Sequence, residues 1–346
     1  MGNPVPECTE GGDMTHLSIV FQGPVIPGSK MLYAHLRQTR QAFPEADMIV
    51  STWRISPVQD QQLNTRLEMM GVRLVLSEDP GALTGQDASG VWSTNLNRLL
   101  RSARAGLDAV TTPLVVKLRT DTWLSGRQLL PLLEQLTSSS VLPPREPAYQ
   151  VFRQRVITAT WFSRDARGSL PWLFHPGDIL LAGLTEDIRL FFSAPLAGPT
   201  LFCPSSMPGL WSAWRYVPEQ WFWTHAIHQA TGRDVFPGNF HHTPQLVSDS
   251  ERYFLANFVP HSPYRLGLHW PKYWRCYPFR GLFSLYTHTR WKRLASRLQQ
   301  KPECSCRAGL SFLLTRIWRT GYRLRVCLLR WPPLRALART LFSHHR

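Results

Sequence analysis

The distribution of apolar and polar positions changes character twice along the chain. In the first third, short apolar runs alternate with stretches of helical spacing. Leu17-Ser-Ile-Val-Phe21 and Met48-Ile-Val-Ser-Thr-Trp53 read as strands, as do Val72-Arg-Leu-Val-Leu76 and the run at 114–118. Between them, residues 29–43 show helical spacing at Met31, Leu32, His35 and Leu36 and stop before Pro44. Ser56-Pro57 is a helix start, Leu63, Leu67 and Met70 form that helix's buried face, and Gly71 closes it. A loop from 77 to Gly90 leads into a helix over about 93–107. Strands alternating with helices predict an α/β fold with a Rossmann-type, mostly parallel sheet.

From about 140 to 288 the periodicity weakens, and Pro, Trp, Phe and His become frequent. This stretch reads as an irregular, aromatic-rich second half. Beyond 289 the pattern is helical again and basic. Arg316, Arg319, Arg323 and Arg330 fall on one face of 307–330, and Leu310, Leu313, Ile317, Leu324 and Leu328 on the other, with Arg325 breaking the apolar side. A basic amphipathic helix suits an anionic membrane surface; packing on the body and a nucleic-acid arm are the alternatives. The expected division is a flexible N-terminus over 1–16, a domain over 17–288 with halves 17–138 and 139–288, and a basic tail over 289–346.

Charge sharpens this division. The net charge of +16 is concentrated at the end: residues 289–346 hold 14 of the 39 Lys and Arg against one acid, Glu303, while the preceding residues hold 25 against 22 acids. A nearly neutral body without a recognition motif argues against nucleic acid as partner. The six cysteines are scattered with no CxxC pair, which fits a reducing cytoplasm and no zinc site. The first 16 residues lack the pattern of a signal peptide, and no run of about 18 uncharged apolar residues is present. Neither GxGxxG nor GxxxxGK[ST] occurs, so dinucleotide and P-loop fingerprints are absent.

The chemistry concentrates where strands end. The run Leu114-Val-Val-Lys117-Leu-Arg119-Thr-Asp121 delivers two cations and a carboxylate to a strand's C-terminal end, the edge at which open α/β sheets bind ligands. Asp121 could equally pair with Arg119 or cap a helix before 125–136. Gln22-Gly23-Pro24 is a turn or a ligand contact, and Ser51, Thr52 and Trp53 end the next strand on the same edge. Arg98 stands in a helix's first turn, against the dipole, beside Asn95 and Asn97, a placement that suggests use on an anion.

These strings carry a family resemblance. Ile19-Val-Phe-Gln-Gly-Pro24, Ser51-Thr-Trp53, Asp79-Pro-Gly81, Asn95-Leu-Asn97-Arg98 and Lys117-Leu-Arg-Thr-Asp121 resemble, in order and spacing, the WavE family of lipopolysaccharide-synthesis proteins. The likeness continues more loosely through Phe174-His175-Pro-Gly-Asp178 and Pro218-Glu219-Gln220. It implies a GT-A-like glycosyltransferase that takes a sugar from a nucleotide-sugar donor to a lipid-linked or oligosaccharide acceptor. Such a protein would work in the cytoplasm, peripheral on the inner face of the cytoplasmic membrane, held there by 289–346. Donor binding then falls to Gln22, Gly23, Pro24, Ser51, Thr52, Trp53, Asn95, Asn97, Arg98, Lys117 and Arg119. Asp121 becomes the ligand of a divalent metal, Mn or Mg, although Arg119 stands where a DxD motif has its first Asp. Glu219 and Asp178 are the candidate bases for the acceptor hydroxyl. A metal-independent transferase, a sugar-phosphate transferase and a non-catalytic assembly protein remain the alternatives.

Overall fold

The computed structural model describes residues 16–26, 30–87, 90–137, 142–168, 172–202, 214–271, 284–299 and, with gaps, 313–337. Its centre is a seven-stranded sheet. The first half supplies β1 (Leu17–Gln22), β2 (Asp47–Trp53), β3 (Val72–Ser77) and β6 (Leu114–Arg119). The second half supplies β8 (Val156–Ala159), β9 (Leu181–Leu184) and β10 (Phe258–His261). The order is β10-β8-β9-β6-β1-β2-β3, parallel throughout except for β9, which runs antiparallel to both β6 and β8. This is the expected α/β class. The second half, expected to be irregular, thus joins the same sheet, and it also carries the 14-residue helices α6 (Pro218–Thr231) and α7 (Pro244–Asn257).

Helices α1 (Met31–Ala42), α2 (Pro57–Glu68), α3 (Leu96–Asp108), α4 (Leu130–Thr137) and α5 (Thr185–Phe191) complete the α/β layers. Ser56 caps α2 by accepting from the Gln59 N–H, with Pro57 at the first helical position, and Gly71 takes φ +64° in the turn after it. Two apolar clusters cover the sheet. One contains Val20, Leu100, Phe192, Trp223 and Phe258; the other contains Ile19, Leu36, Val116 and Trp270. Residues 83–94 depart from the expected loop to Gly90 and helix start near 93: β4 (Leu83–Asp87) and β5 (Gly90–Thr94) form an antiparallel hairpin, and the helix begins at Leu96. A second small ribbon pairs β7 (Trp123–Leu124) with β11 (Leu268–His269). Helix α8 (Pro263–Leu266) and α9 (His288–Leu298) close the body.

The register brings the sequence strings together. Gln22 lies beside Ser51 and Arg119, and Trp53 beside Ser77, so β1, β2, β3 and β6 end on one edge. β8 and β10 end on that same edge, and β9 begins there. Asp178 is three residues before β9.

Candidate active site

The turn after β1 and the turn after β6 are stapled to each other. Gly23 has φ +136°, and a Cβ there would meet the Thr120 hydroxyl at 3.1 Å, so glycine is required. The Thr120 N–H donates to the Gln22 carbonyl (3.1 Å), and its hydroxyl donates to the Pro24 carbonyl (2.8 Å). The Thr120 carbonyl meets His35 Nδ1 at 3.1 Å. Beside this staple, Arg119 donates from Nε (2.8 Å) and Nη2 (3.1 Å) to the two oxygens of Asp121, and its guanidinium lies over the Trp270 ring at 5.2 Å. Both side chains keep about a quarter of their surface.

A second guanidinium stands further along the edge. Arg98 makes a bidentate pair with Asp79, both contacts at 2.7 Å, and a third bond to the Asn95 side chain (3.0 Å). The hydrogen bonds from Arg98 hold the Asp79 carboxyl below its usual range. Trp53 lies 6.0 Å beneath this guanidinium. The first-turn arginine is therefore compensated by a carboxylate from the loop after β3.

The two carboxylates from the second half meet around a buried lysine. Lys117 is fully buried, with Nζ 2.6 Å from the Asp178 carbonyl, 3.5 Å from its carboxylate and 5.2 Å from the Phe192 ring centre. Burial lowers its pKa, and Asp178 opposes that shift. Glu219, in the first turn of α6, lies within the field of Asp178, Lys117 and Arg164. Its carboxyl is pushed up to about 8, first by burial and then by the negative charge of Asp178. His175 Nε2 lies 3.6 Å from the Glu219 carboxyl; burial and Arg164 hold that imidazole neutral, at a pKa of about 3. Asp178 keeps 4% of its side-chain surface and Glu219 keeps 15%, so Glu219 is the less buried of the two.

Several expected donor contacts are turned inward. Lys117 points into the core. Asn97 spends its amide on the main chain of Ala197, accepting at 2.8 Å and donating at 3.0 Å. Gln22 donates to the Ser102 hydroxyl of α3 (2.8 Å), and Ser51 donates to the Ser102 carbonyl (2.7 Å). What remains on the edge are buried acceptors without a partner among the described residues: Gln22 Oε1, Thr52 Oγ1 and Thr160 Oγ1. Trp161, Phe162 and Trp270 form an aromatic cluster beside Arg119, with Trp270 ring centres 5.7 and 5.9 Å from the other two. Arg164, Trp270 and Phe162 carry no sequence signal, since they lie in loops without periodicity. His175 lies in one of the family strings, which gives it no role.

A divalent ion finds little here. Both oxygens of Asp121 are engaged by Arg119, and no group of three or more His, Cys, Asp or Glu able to hold an ion occurs among the described residues. A cation at Asp121 would share that carboxylate with Arg119, since each oxygen keeps a second lone pair.

A family model for WavE lipopolysaccharide synthesis matches residues 17–325. No curated protein matches. Among solved structures, the chain is similar to the galactosyltransferase LgtC in complex with donor and acceptor sugar analogues (13% identity, 83% of this chain and 98% of that one, TM-score 0.33). It is also similar to an LgtC active-site mutant (12% identity, 50% and 59%, TM-score 0.31). A third is the glycosyltransferase GlyE of Streptococcus pneumoniae TIGR4 (17% identity, 51% and 35%, TM-score 0.24). The matched part thus spans under two thirds of the mutant LgtC and GlyE chains.

Proposed function

The chain belongs to the WavE lipopolysaccharide-synthesis family, and from that premise we propose that it is a glycosyltransferase moving a sugar from a nucleotide-sugar donor to a surface-polysaccharide acceptor. The observation that carries this reading is that Arg119 and Arg98 stand along the edge where the parallel strands end, while Glu219 and Asp178 gather around Lys117 of the strand that ends in Arg119. That edge is the ligand-binding edge of open α/β sheets. The first half, 17–138, would hold the donor, and the second, 139–288, the acceptor.

In this reading the acceptor hydroxyl oxygen bonds to the anomeric carbon as the bond from that carbon to the phosphate oxygen breaks. The hydroxyl proton passes to Glu219, a base contribution worth about 10²–10⁴-fold in rate. Asp178 is the buried counter-ion of Lys117, and its charge raises the basicity of Glu219. Negative charge develops on the departing nucleoside diphosphate. Arg119 and Arg98, each held by a carboxylate, are fixed cations placed to stabilise it without reorganisation. No step runs through a metal. The basic tail holds the body on the anionic inner face of the cytoplasmic membrane, where a lipid-linked acceptor is presented.

The test is hydrolysis of a panel of UDP-, GDP-, CMP- and TDP-sugars with Mn²⁺, Mg²⁺ or EDTA, for wild type, Asp121→Asn and Glu219→Gln. One donor is expected to turn over in EDTA, and Glu219→Gln is expected to lose that turnover. Loss of turnover with EDTA would return Asp121 to metal binding. Neither hydrolysis nor binding of any donor, with acceptor lipid extract added, would favour a non-catalytic assembly protein.

A further inference from the structure

The Glu219 carboxyl has a neighbour that the proposed reaction leaves unused. We infer that His175 is a positioning residue for Glu219: its neutral imidazole donates from Nε2 to one carboxyl oxygen and leaves the other for the acceptor proton. This rests on the reading of Glu219 as the base.

The loop carrying His175 is fixed along its length. The Phe174 N–H donates to the Ser250 hydroxyl (2.8 Å), and the His175 carbonyl accepts from the Arg164 N–H (2.9 Å). The Gly177 N–H donates to the Ser163 hydroxyl (3.2 Å), and its carbonyl accepts from the Thr158 hydroxyl (3.1 Å). Gly177 has no room for a side chain, since a Cβ would lie 2.5 Å from the Trp161 carbonyl. Two bulky residues of this assembly, Phe162 (φ +65°) and Phe174 (φ +50°), are held in the left-handed region, a strained state that persists only where the surroundings over-determine it. They are the only non-glycine residues with positive φ among those described. Both flank the segments that deliver Arg164 and His175.

The ring itself is placed for one partner. His175 is 7% exposed and meets the Trp172 ring edge-on at 5.8 Å. Its Nε2 faces Glu219 at 3.6 Å, slightly beyond hydrogen-bond length, a separation that catalytic pairs close on binding substrate. Its Nδ1 has no partner among the described residues. Backbone carbonyls of the His175 loop and of Phe162 also face the ring, and the proton is assigned to Nε2, where the carboxylate is its acceptor. The charged groups facing the pair are Asp178, Lys117 and Arg164. Burial, and then Arg164, keep the ring uncharged. An imidazolium here would hold the carboxylate as an ion pair and remove its basicity; a neutral N–H orients the carboxylate and leaves it able to take a proton.

Two readouts test this. The first is ¹³C NMR titration of the glutamate side-chain carboxyl groups in the full chain. One resonance should titrate near pH 8 and be missing in Glu219→Gln. In His175→Leu its midpoint should rise by about one pH unit, because the ionised carboxylate loses a donor. In His175→Gln, which keeps an N–H at a similar reach, it should stay near wild type. The second is the pH profile of donor turnover. Its ascending limb should move with the resonance, with activity at neutral pH falling about tenfold if the limb rises by about one pH unit. If His175→Leu fails to fold, His175→Asn, whose shorter amide falls out of reach, replaces it. An unmoved resonance in His175→Leu, or equal displacements in the Leu and Gln variants, overturns the inference. A resonance that behaves as expected in a protein that turns over no donor would instead sink Glu219 as base and leave the pair standing.

Discussion

Burial sets the protonation of three side chains in opposite directions. Glu219 keeps its proton up to about pH 8, whereas His175 and His261 stay neutral down to about pH 3. The folded chain holds the Glu219 proton where the unfolded chain has released it. The contribution of Glu219 to stability is therefore complete below the ordinary carboxyl range and lost as pH rises through 8. The unfolded histidines take up protons below about 6.5 and the folded ones do not, so their contribution is complete above 6.5 and lost as pH falls through 3. For these three groups together, stability climbs to about pH 6.5 and declines beyond it. Melting temperatures across about pH 4–9 should show that maximum, and Glu219→Gln should flatten the decline between about 6.5 and 8. A variant that declines as wild type does would refute the burial of this carboxyl. Lys117 gives a second residue-scale test. Lys117→Met leaves the Asp178 carboxylate buried without its cation and should cost about 3–5 kcal/mol in urea unfolding. Adding Asp178→Asn should recover most of that loss; equal stability of the single and double variants would show that the pair is not coupled.

Helix α3 fixes the β1–β2 side of the edge as a unit. It carries Arg98 in its first turn, Ser102 bonded to Gln22 and Ser51, and Gly106 where it crosses the sheet. A Cβ at Gly106 would sit 2.6 Å from a Val20 methyl and 2.8 Å from the Ser51 Cβ. Gly106→Ala gains up to about 1 kcal/mol of helix propensity, but the overpacking costs about 1–3 kcal/mol. The expected result is a net loss of stability in urea together with weaker nucleotide-sugar binding, because Arg98 shifts with the helix; a variant more stable than wild type would mean that the helix does not seat this closely. The same packing explains what sequence conveys and what it hides. β1, β2, β3 and β6 are legible as apolar runs between helical stretches. The β4–β5 hairpin is not, because Gly85 reads as loop, whereas it makes room for the Phe202 ring, 2.6 Å from where a Cβ would stand. β8, β9 and β10 have only four residues each and are almost entirely buried, so they show no alternation to read. Glu219 and Asp178 are separate candidates in the sequence. Their convergence on Lys117 depends on β9 lying antiparallel beside β6, a pairing no local pattern encodes. Asn97 reads as a ligand contact because its partner, Ala197, is a hundred residues away.

At the scale of the molecule, the body and its basic end have different surfaces. In the described part of 313–337, Leu313, Ile317, Leu324, Leu328, Trp331 and Leu337 are each more than half exposed, and Leu329 is buried. No helix among the described residues is long and apolar enough to cross a membrane. Exposed leucines on a basic segment are what a membrane-surface helix requires: in such a helix the apolar side chains enter the acyl boundary, and each cation near the headgroups adds about 1 kcal/mol. The full chain should sediment with vesicles containing phosphatidylglycerol, less so as salt rises and not with purely zwitterionic ones. A chain truncated after Gln299 should stay in solution while still binding its donor. Leu324→Glu with Leu328→Glu should weaken sedimentation more than substituting glutamate at two sites on the body, since those two changes remove the apolar anchor as well as lowering the charge. Equal partitioning of the truncated and full chains would place the membrane contact on the body. Sedimentation with zwitterionic vesicles that ignores salt would make the anchor apolar alone, with the arginines then serving another anion.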